Sequence, residues 1–406
     1  MKILQINTTI NSGSTGKIAE DIGKLLIKNG HTSYIAFGRG NRPSESIKIK
    51  IGSQLSIYWH WLITAFFDKH GFGSKKASFE LIKQIEKIKP DIIGLHNIHG
   101  YFLNMEILFK YLQKSNIPVV WTLHDCWAFT GHCTFFDSVN CEKWKLQCHQ
   151  CPKTKFYPSS YLFDNSKKNY SIKKTLFNLL DIHLITPSNW LNGLVKQSFL
   201  NHSVNTIYNG IDLSIFKINE KTNTSIIKEQ FNNKSVILGV ASIWDKRKGL
   251  DDFIALSQIL DRNKFQIILI GLSKDQITNL PPQLIGIERT ENIQQLADYY
   301  NLTDVFINPT WQDNFPTTNI EALACGTPVI TYKTGGSPEA IDENTGIVVN
   351  KGDIKGLEQA IHVIIKNGKS FYQDNCRKRA ELLFDKNERY LDYIKLFESI
   401  LIKEND

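Results

Sequence analysis

The sequence predicts an α/β chain folded as two doubly wound, mostly parallel sheets facing each other across a cleft. Three observations predict it. Apolar runs of strand length alternate with amphipathic stretches of helix length along the chain, the pattern of parallel sheets covered by helices. The alternation stops at the polar stretch "YNGIDLSIFKINEKTNTS", from residue 208, and then restarts. The charge changes near the same place: residues 1–200 hold 25 Lys and Arg against 13 Asp and Glu, net +12, whereas residues 201–406 hold 23 against 27, net −4. A chain of 406 residues has room for two or three cores, and a composition 42% hydrophobic and 22% charged is ordinary for a globular protein.

Taken in order, "MKILQIN" reads as a strand and "TGKIAEDIGKLLIKNG" as an amphipathic helix stopped by Gly. "HTSYIAFG" is a second strand. "SFELIKQIEKIKP" is a helix ended by Pro, followed by the strand "DIIGLHN"; "NMEILFKYLQKSN" is a helix, followed by the strand "IPVVWTLH"; "DIHLITPS" is a later strand. After the polar stretch come the strand "SVILGVASI", the helix "LDDFIALSQIL", the strand "FQIILIG", the helix "NIQQLADYYNLT" and the strand "DVFINPT". The helix "TTNIEALACG" and the strand "TPVITYK" follow. This gives a first domain over 1–208, a second over 209–388 with the linker within about 208–234, and a last helix over 389–406 expected to pack back on the first domain.

"MKILQINTT" does not read as a signal peptide, because its apolar run is short and polar residues follow at once. The longest apolar stretch, Leu55 to Phe67, is too short to span a bilayer and contains a His. It reads either as a buried core helix or as a face that docks on a membrane. The expected location is the cytoplasm, with peripheral contact at the inner membrane face. The basic first half suits phosphates or an anionic membrane surface.

The most informative stretch is "NPTWQDNFPTTNIEALACGTPVI", 308–330. A strand ends near Pro309, and a loop carries Asp313, Asn314 and Phe315. Pro316 stands where Pro suits a helix start, with Thr317 and Thr318 in the first turn. Such a turn presents free N–H groups that favour a diphosphate. Glu321 sits one turn in, where its carboxylate reaches a ribose hydroxyl pair, and Asp313, eight residues earlier, is placed for sugar hydroxyls. Taken alone, the stretch is equally a surface turn with a capping acid.

The acid-x7-acid spacing followed by "EALACGTPVI" resembles the donor-sugar motif of the retaining glycosyltransferases of family 4, which have the GT-B fold of two Rossmann-like domains. The usual first acid is Glu; the "DNFP" form with Asp313 is similar to a subgroup acting in bacterial surface-polysaccharide assembly. "YNGID" at 208–212 resembles the family's domain junction, and "ASIWDKRKGL" at 241–250 its diphosphate loop. The resemblance makes Lys248 the contact to the donor phosphates. Ser242 stands where most members carry Arg, and Arg247 is expected to supply that charge. Base selection is expected near Arg289–Asn292.

In the first half, "TLHDCW" puts His124 at a strand's carboxyl end. The resemblance makes it the active-site His, a hydrogen-bond donor or acceptor that orients the transferred sugar. "NSGSTGKIAED" at 11–21 is a Gly-rich strand-to-helix turn. It is not a Walker A loop, since Asn11 replaces its first Gly and Ile18 follows Lys17. Gly13, Ser14, Thr15, Gly16 and Lys17 can still cradle phosphate through backbone N–H groups. His96, Asn97 and His99 follow another strand and are expected on the acceptor side.

The chemistry implied is departure of a sugar from a nucleoside diphosphate through an oxocarbenium-like state. Lys248, Arg247 and the helix start at Phe315–Thr318 would stabilise the leaving diphosphate. No catalytic metal is expected, and the resemblance implies retention of configuration. The implied donor is UDP- or GDP-linked, and the implied acceptor a glycan on undecaprenyl diphosphate.

Five of seven cysteines fall in residues 126–151. In a reducing compartment the cluster argues for metal or buried thiols over disulfides. The C-x2-C pair Cys148–Cys151 with Cys133 and Cys141 reads as a structural four-thiolate zinc site, with His132 and His149 as alternative ligands and Cys126 as a buried thiol. Two other functions stand beside the transferase: another GT-B activity such as a sugar-nucleotide epimerase, and a zinc-containing nucleic-acid-binding protein. The second explains the charge and the cysteines but not the two α/β domains, so no nucleic-acid partner is expected.

Overall fold

The computed structural model describes residues 1–219 and 234–405; the linker residues from 220 to 233 therefore lie outside the described residues. The strands form two sheets, and every pairing between neighbouring strands is parallel. The chain divides into a unit of residues 1–207 with 389 onward, and a unit of Tyr208–Glu388.

The first unit carries β1 (Lys2–Thr9), β2 (Thr32–Arg39), β3 (Ile47–Lys50), β4 (Ile92–Leu95), β5 (Val119–Thr122), β6 (His183–Thr186) and β7 (Val204–Thr206). Their order is β3-β2-β1-β4-β5-β6-β7. The chain winds outward from β1 in one direction and then from β4 in the other, so β1 and β4 flank the switch point. Central strands such as β4 and β5 are buried along their length, which is why they are continuous apolar runs rather than alternating ones. The edge strands β3 and β7 are short and partly exposed, a form that gives little pattern in the sequence.

The second unit carries β8 (Ser235–Val240), β9 (Phe265–Ile270), β10 (Leu284–Ile287), β11 (Val305–Asn308), β12 (Val329–Tyr332) and β13 (Gly346–Val349). Their order is β10-β9-β8-β11-β12-β13, with the switch between β8 and β11. Its first residues are the "YNGID" motif. Ile211 N–H donates to Phe384 O at 2.9 Å, Lys386 N–H returns to Ile211 O at 3.0 Å, and Lys386 Nζ pairs with Asp212 Oδ2 at 2.7 Å. The Lys386 backbone passes so near Gly210 that a Cβ there would lie 2.4 Å from it. Gly and Asp are thus the residue types this crossing needs.

The last helix, Lys386–Asn405, returns to the first unit. Tyr390, Tyr393, Ile394, Phe397 and Ile400 pack on Ile3, Ile22, Ile92, Val120 and Ile185. Tyr393 OH also accepts from Thr122 Oγ1 at 3.3 Å.

The apolar run settles into the helix Gln54–Phe67, and it is not a buried core helix. Its buried positions include the polar His60 and Thr64, while Leu55, Tyr58, Trp59 and Phe66 are exposed. His60 turns inward because it serves backbone: Nε2 accepts from Gly71 and Gly73 N–H at 3.1 Å each, and Nδ1 meets Ser74 Oγ at 2.9 Å. No described helix is long and apolar enough to cross a membrane.

Phe397 is 2% exposed, so Phe397→Ala should remove about 3–5 kcal/mol from the first unit. Urea unfolding followed by tryptophan emission measures this.

Candidate active site

In the second unit the site grows from the loops after β8 and β11, at the switch point. After β8 the chain runs through Ser242 and Ile243, both exposed, and into a single 3-10 turn, Lys246–Lys248. Asp245 Oδ1 caps that turn by accepting from Lys248 N–H at 3.1 Å. Gly249 follows at φ 80°, and a Cβ on it would lie 2.3 Å from Pro309 O, so only Gly lets the two loops approach. The loops are then tied together. Arg247 O accepts from Trp311 N–H at 2.8 Å and from Thr310 Oγ1 at 3.2 Å, and Arg247 Nη1 donates to Gln312 O at 3.0 Å. Lys248 Nζ pairs with Asp313 Oδ2 at 2.5 Å.

The helix Thr317–Ala324 begins at Pro316, whose ring makes no side-chain cap to the first turn. Asn314, Phe315 and Pro316 are buried and hold the loop; Thr317 and Thr318 are half-buried. Glu321 Oε2 accepts from Tyr300 OH at 3.0 Å, and burial together with this carboxylate pushes the Tyr300 phenol well up, so it stays a donor. Beneath the helix start a buried network joins Asn308 to Asn319 at 2.7 Å, Asn319 to Ser337 at 3.2 Å and Ser337 to Thr331 at 2.9 Å. Gly336 N–H donates to Asn314 O at 2.7 Å. The sequence reading did not single out Asn308, Asn319, Tyr300 or Ser337; they come together only through sheet order.

Arg289–Asn292 follow β10. Arg289 is exposed, and Asn292 is occupied as a helix cap, its Oδ1 accepting from Gln295 N–H at 2.9 Å.

In the first unit the loops after β1, β4 and β5 gather. Gly13, Ser14 and Lys17 are exposed at the start of the helix Gly13–Lys28, Thr15 is half-buried, and Gly16 lies against Thr9, where a Cβ would meet Oγ1 at 2.7 Å. Asn97 N–H donates to Asn7 Oδ1 at 3.2 Å, and Thr8 Oγ1 donates to Asn97 O at 2.8 Å, fixing the β4 loop against β1.

The histidines form a directed chain. Gln5 Nε2 donates to Ala19 O at 2.8 Å, which leaves its Oε1 to accept from His96 Nε2 at 3.0 Å. His96 Nδ1 then accepts from His124 Nε2 at 3.2 Å, so the proton of neutral His124 is on Nε2 and its lone pair on Nδ1. Burial keeps both rings neutral: it lowers His124 to about 4 and His96 well below its ordinary value. His99 goes elsewhere. Its Nε2 meets Asp125 Oδ2 at 2.9 Å and its Nδ1 meets Tyr157 OH at 3.2 Å. Burial raises the Asp125 carboxyl, but His99 and the Trp127 N–H outweigh it and hold the group below the usual range. Asp125 adjoins His124 in sequence, whereas nothing local to Tyr157 marks it as a partner of this cluster.

All seven cysteines are free. Cys133, Cys141, Cys148 and Cys151 line one small cavity, and Gly131 N–H points at Cys148 Sγ at 3.3 Å. Of the alternative ligands, His132 has Nδ1 committed to the buried Asp68 at 2.5 Å, and His149 is exposed. Cys126 is buried beside Asp125. Among the described residues, no three His, Cys, Asp or Glu side chains are already disposed to hold a metal ion.

With this geometry in view, the comparisons with known proteins are direct. A model described as Glycosyltransferase Family 4 matches residues 15–215, and one described as Glycosyl transferases group 1 matches residues 234–367. The chain belongs to glycosyltransferase family 4. This family 4 enzyme is 23% identical over 377 residues to an Escherichia coli K12 protein described as a colanic acid biosynthesis glycosyl transferase, WcaC, covering 88% of this chain and 90% of that one. It is 26% identical over 213 residues to the capsular polysaccharide biosynthesis glycosyltransferase CapM of Staphylococcus aureus, covering 49% and 54% of the two chains. Among solved structures, sucrose-phosphate synthase from Thermosynechococcus elongatus superposes with TM-score 0.72 at 18% identity, covering 99% of both chains. Anabaena HepE in complex with UDP-glucose superposes with TM-score 0.69 at 15% identity, covering 98% of this chain and all of that one. The fold is GT-B.

The neutral histidines make a pH prediction. His124 ordinarily titrates at 6.5, and the folded state lowers this to about 4, so the unfolded chain binds the extra proton first. Stability is fully present above pH ~6.5 and falls as the pH drops toward 4, by up to about 1.4 kcal/mol per pH unit for each such histidine. Thermal unfolding of wild type and His124→Gln from pH 7 to 5 checks this; the variant should show the shallower decline.

Proposed function

We propose that this glycosyltransferase moves a sugar from a nucleoside-diphosphate donor to a lipid-linked glycan during assembly of a bacterial surface polysaccharide, with retention of configuration. The observation that carries the donor half is the Lys248–Asp313 pair at the β8/β11 switch point, one helix start away from Glu321. In the structure Lys248 and Asp313 neutralise each other. A donor diphosphate competes for the Lys248 ammonium, which leaves the Asp313 carboxylate to accept from sugar hydroxyls, while Glu321, oriented by Tyr300, accepts from the ribose pair. Charge that develops on the leaving diphosphate meets Lys248, Arg247 and the first-turn N–H groups of the helix from Thr317. On the acceptor side, neutral His124 is placed to hydrogen-bond a sugar hydroxyl. The UDP and UDP-glucose complexes of HepE and the polysaccharide roles named for WcaC and CapM support this reading.

Calorimetric titration of UDP, GDP and their sugar conjugates tests it. One nucleotide class should bind, and Lys248→Ala should weaken it about 10–100-fold, the worth of a charge-assisted hydrogen bond of about 1.5–3 kcal/mol. Glu321→Ala should weaken it too. Failure of every nucleotide to bind folded protein would remove the donor reading.

We also propose that Cys133, Cys141, Cys148 and Cys151 hold a structural zinc. Four thiols on one cavity wall support this, as does a segment whose regular structure between Trp127 and Lys145 is three single 3-10 turns. The thiols would have to close on the ion, and zinc would supply ordering of the loop rather than chemistry. Metal analysis of tag-free protein should find about one zinc per chain; folded protein without zinc would leave four buried or half-buried thiols.

A further inference from the structure

The helix Gln54–Phe67 is inverted relative to an ordinary surface helix. A surface helix turns its apolar stripe to the core and its polar stripe to water. Here Leu55, Tyr58, Trp59 and Phe66 lie on one stripe at helical spacing and are 43–65% exposed, while His60 and Thr64 are buried. A second segment extends the same face. Phe163 stacks on Phe67 with ring centroids 5.6 Å apart, and Tyr161 N–H donates to Ala65 O at 2.8 Å, so residues 156–163 are pinned alongside the helix. In that segment Phe156, Tyr161, Leu162 and Phe163 are 54–66% exposed. Two neighbouring segments thus present a continuous apolar surface, of a kind that marks a binding face rather than scattered exposed residues.

The chemistry of the face selects its occupant. It is rich in Trp, Tyr and Phe, the side chains that settle at the boundary of headgroups and acyl chains. Neither Gln54–Phe67 nor Lys153–Phe163 contains an Asp or Glu. Of the nearest carboxylates, Asp68 is buried on His132, and Asp164 is exposed but engaged by the Cys151 and Ser166 N–H groups. Lysines border the face instead, with Lys69 Nζ 6.0 Å from the Phe67 ring and Lys155, Lys167 and Lys168 exposed around the second segment. An apolar aromatic surface without carboxylates of its own, on whose border exposed lysines outnumber the one exposed Asp164, matches an anionic bilayer. A second copy of the same basic surface would meet it with like charge.

We propose that the face formed by residues 54–67 and 156–163 docks the enzyme on the interfacial region of an anionic membrane. The same face reaches the acceptor-side cluster through one residue: the Tyr157 ring is half-exposed among these side chains, while its hydroxyl meets His99 Nδ1 at 3.2 Å and His99 holds Asp125. Docking therefore brings the bilayer surface within one side chain of the His99–Asp125 pair, which is where a lipid-borne acceptor has to present its glycan; this consequence rests on the lipid-linked acceptor reading above.

The experiment is flotation of the full chain with phosphatidylcholine vesicles and with mixed phosphatidylcholine–phosphatidylglycerol vesicles, together with tryptophan emission. Wild type should float with the anionic vesicles, less so at high salt, and its emission should shift to the blue as Trp59 and Trp61 leave water. Trp59→Glu combined with Leu162→Glu should weaken vesicle binding at least about tenfold while nucleotide binding, a property of the second unit, is unchanged. Vesicle binding that the double variant retains would overturn the proposal, as would wild type that binds its nucleotide but no vesicle. A wild-type dimer in light scattering that the variant splits would assign the face to a second copy instead. Loss of nucleotide binding by wild type would count against the donor reading alone, because docking is read separately.

Discussion

The proposed donor site depends on one close approach. After β8 and after β11 the chain leaves the sheet in opposite directions, and the gap between the two loops closes only because Gly249 lets backbone meet Pro309. Once closed, Arg247 holds the second loop through its carbonyl and one guanidinium nitrogen, and Lys248 is delivered to Asp313. The arrangement keeps a cation, a carboxylate and a helix start together. Mutual neutralisation is what makes that tolerable, since each charge alone in a half-buried position would be costly. In the proposed reading it also makes the site responsive, because a diphosphate would have only to displace one partner of an existing pair.

The first unit solves a different problem. Its His96 and His124 rings remain uncharged by burial rather than by pairing. The chain Ala19–Gln5–His96–His124 fixes the proton of each ring in turn, so a carboxamide two residues into the buried part of β1 decides which nitrogen His124 turns toward a partner. The neighbouring Asp125–His99–Tyr157 set carries the charge that the first chain excludes. Two adjacent residues, His124 and Asp125, therefore enter separate networks of opposite electrostatic character.

The long apolar stretch shows where pattern reading fails. Its composition fits burial, yet an inward position goes to His60 because backbone N–H groups at Gly71 and Gly73 require an acceptor inside. Unsatisfied N–H groups outrank apolar exposure here, and the aromatic residues are left facing outward. The cysteine segment is the reverse case. Its spacing was plain, and folding does bring four thiols to one cavity, but regular structure is nearly absent there and gives no further guide.

The sequence by itself determined the two parallel sheets, the order of the central strands' elements and the motif positions of Lys248, Asp313, Glu321 and His124. Buried parallel strands are unbroken apolar runs, and helix starts and tight turns demand particular residue types, so both leave local marks. Only the tertiary structure decided which loops lie at the switch points, which residues sit beneath Asn314, and that Gln5 and Tyr157 complete the histidine networks. Those contacts join residues 91 and 58 positions apart, and no local periodicity encodes a partner so distant along the chain. The short edge strands β3 and β7 were illegible for the matching reason: few side chains on them are buried, so few positions are constrained.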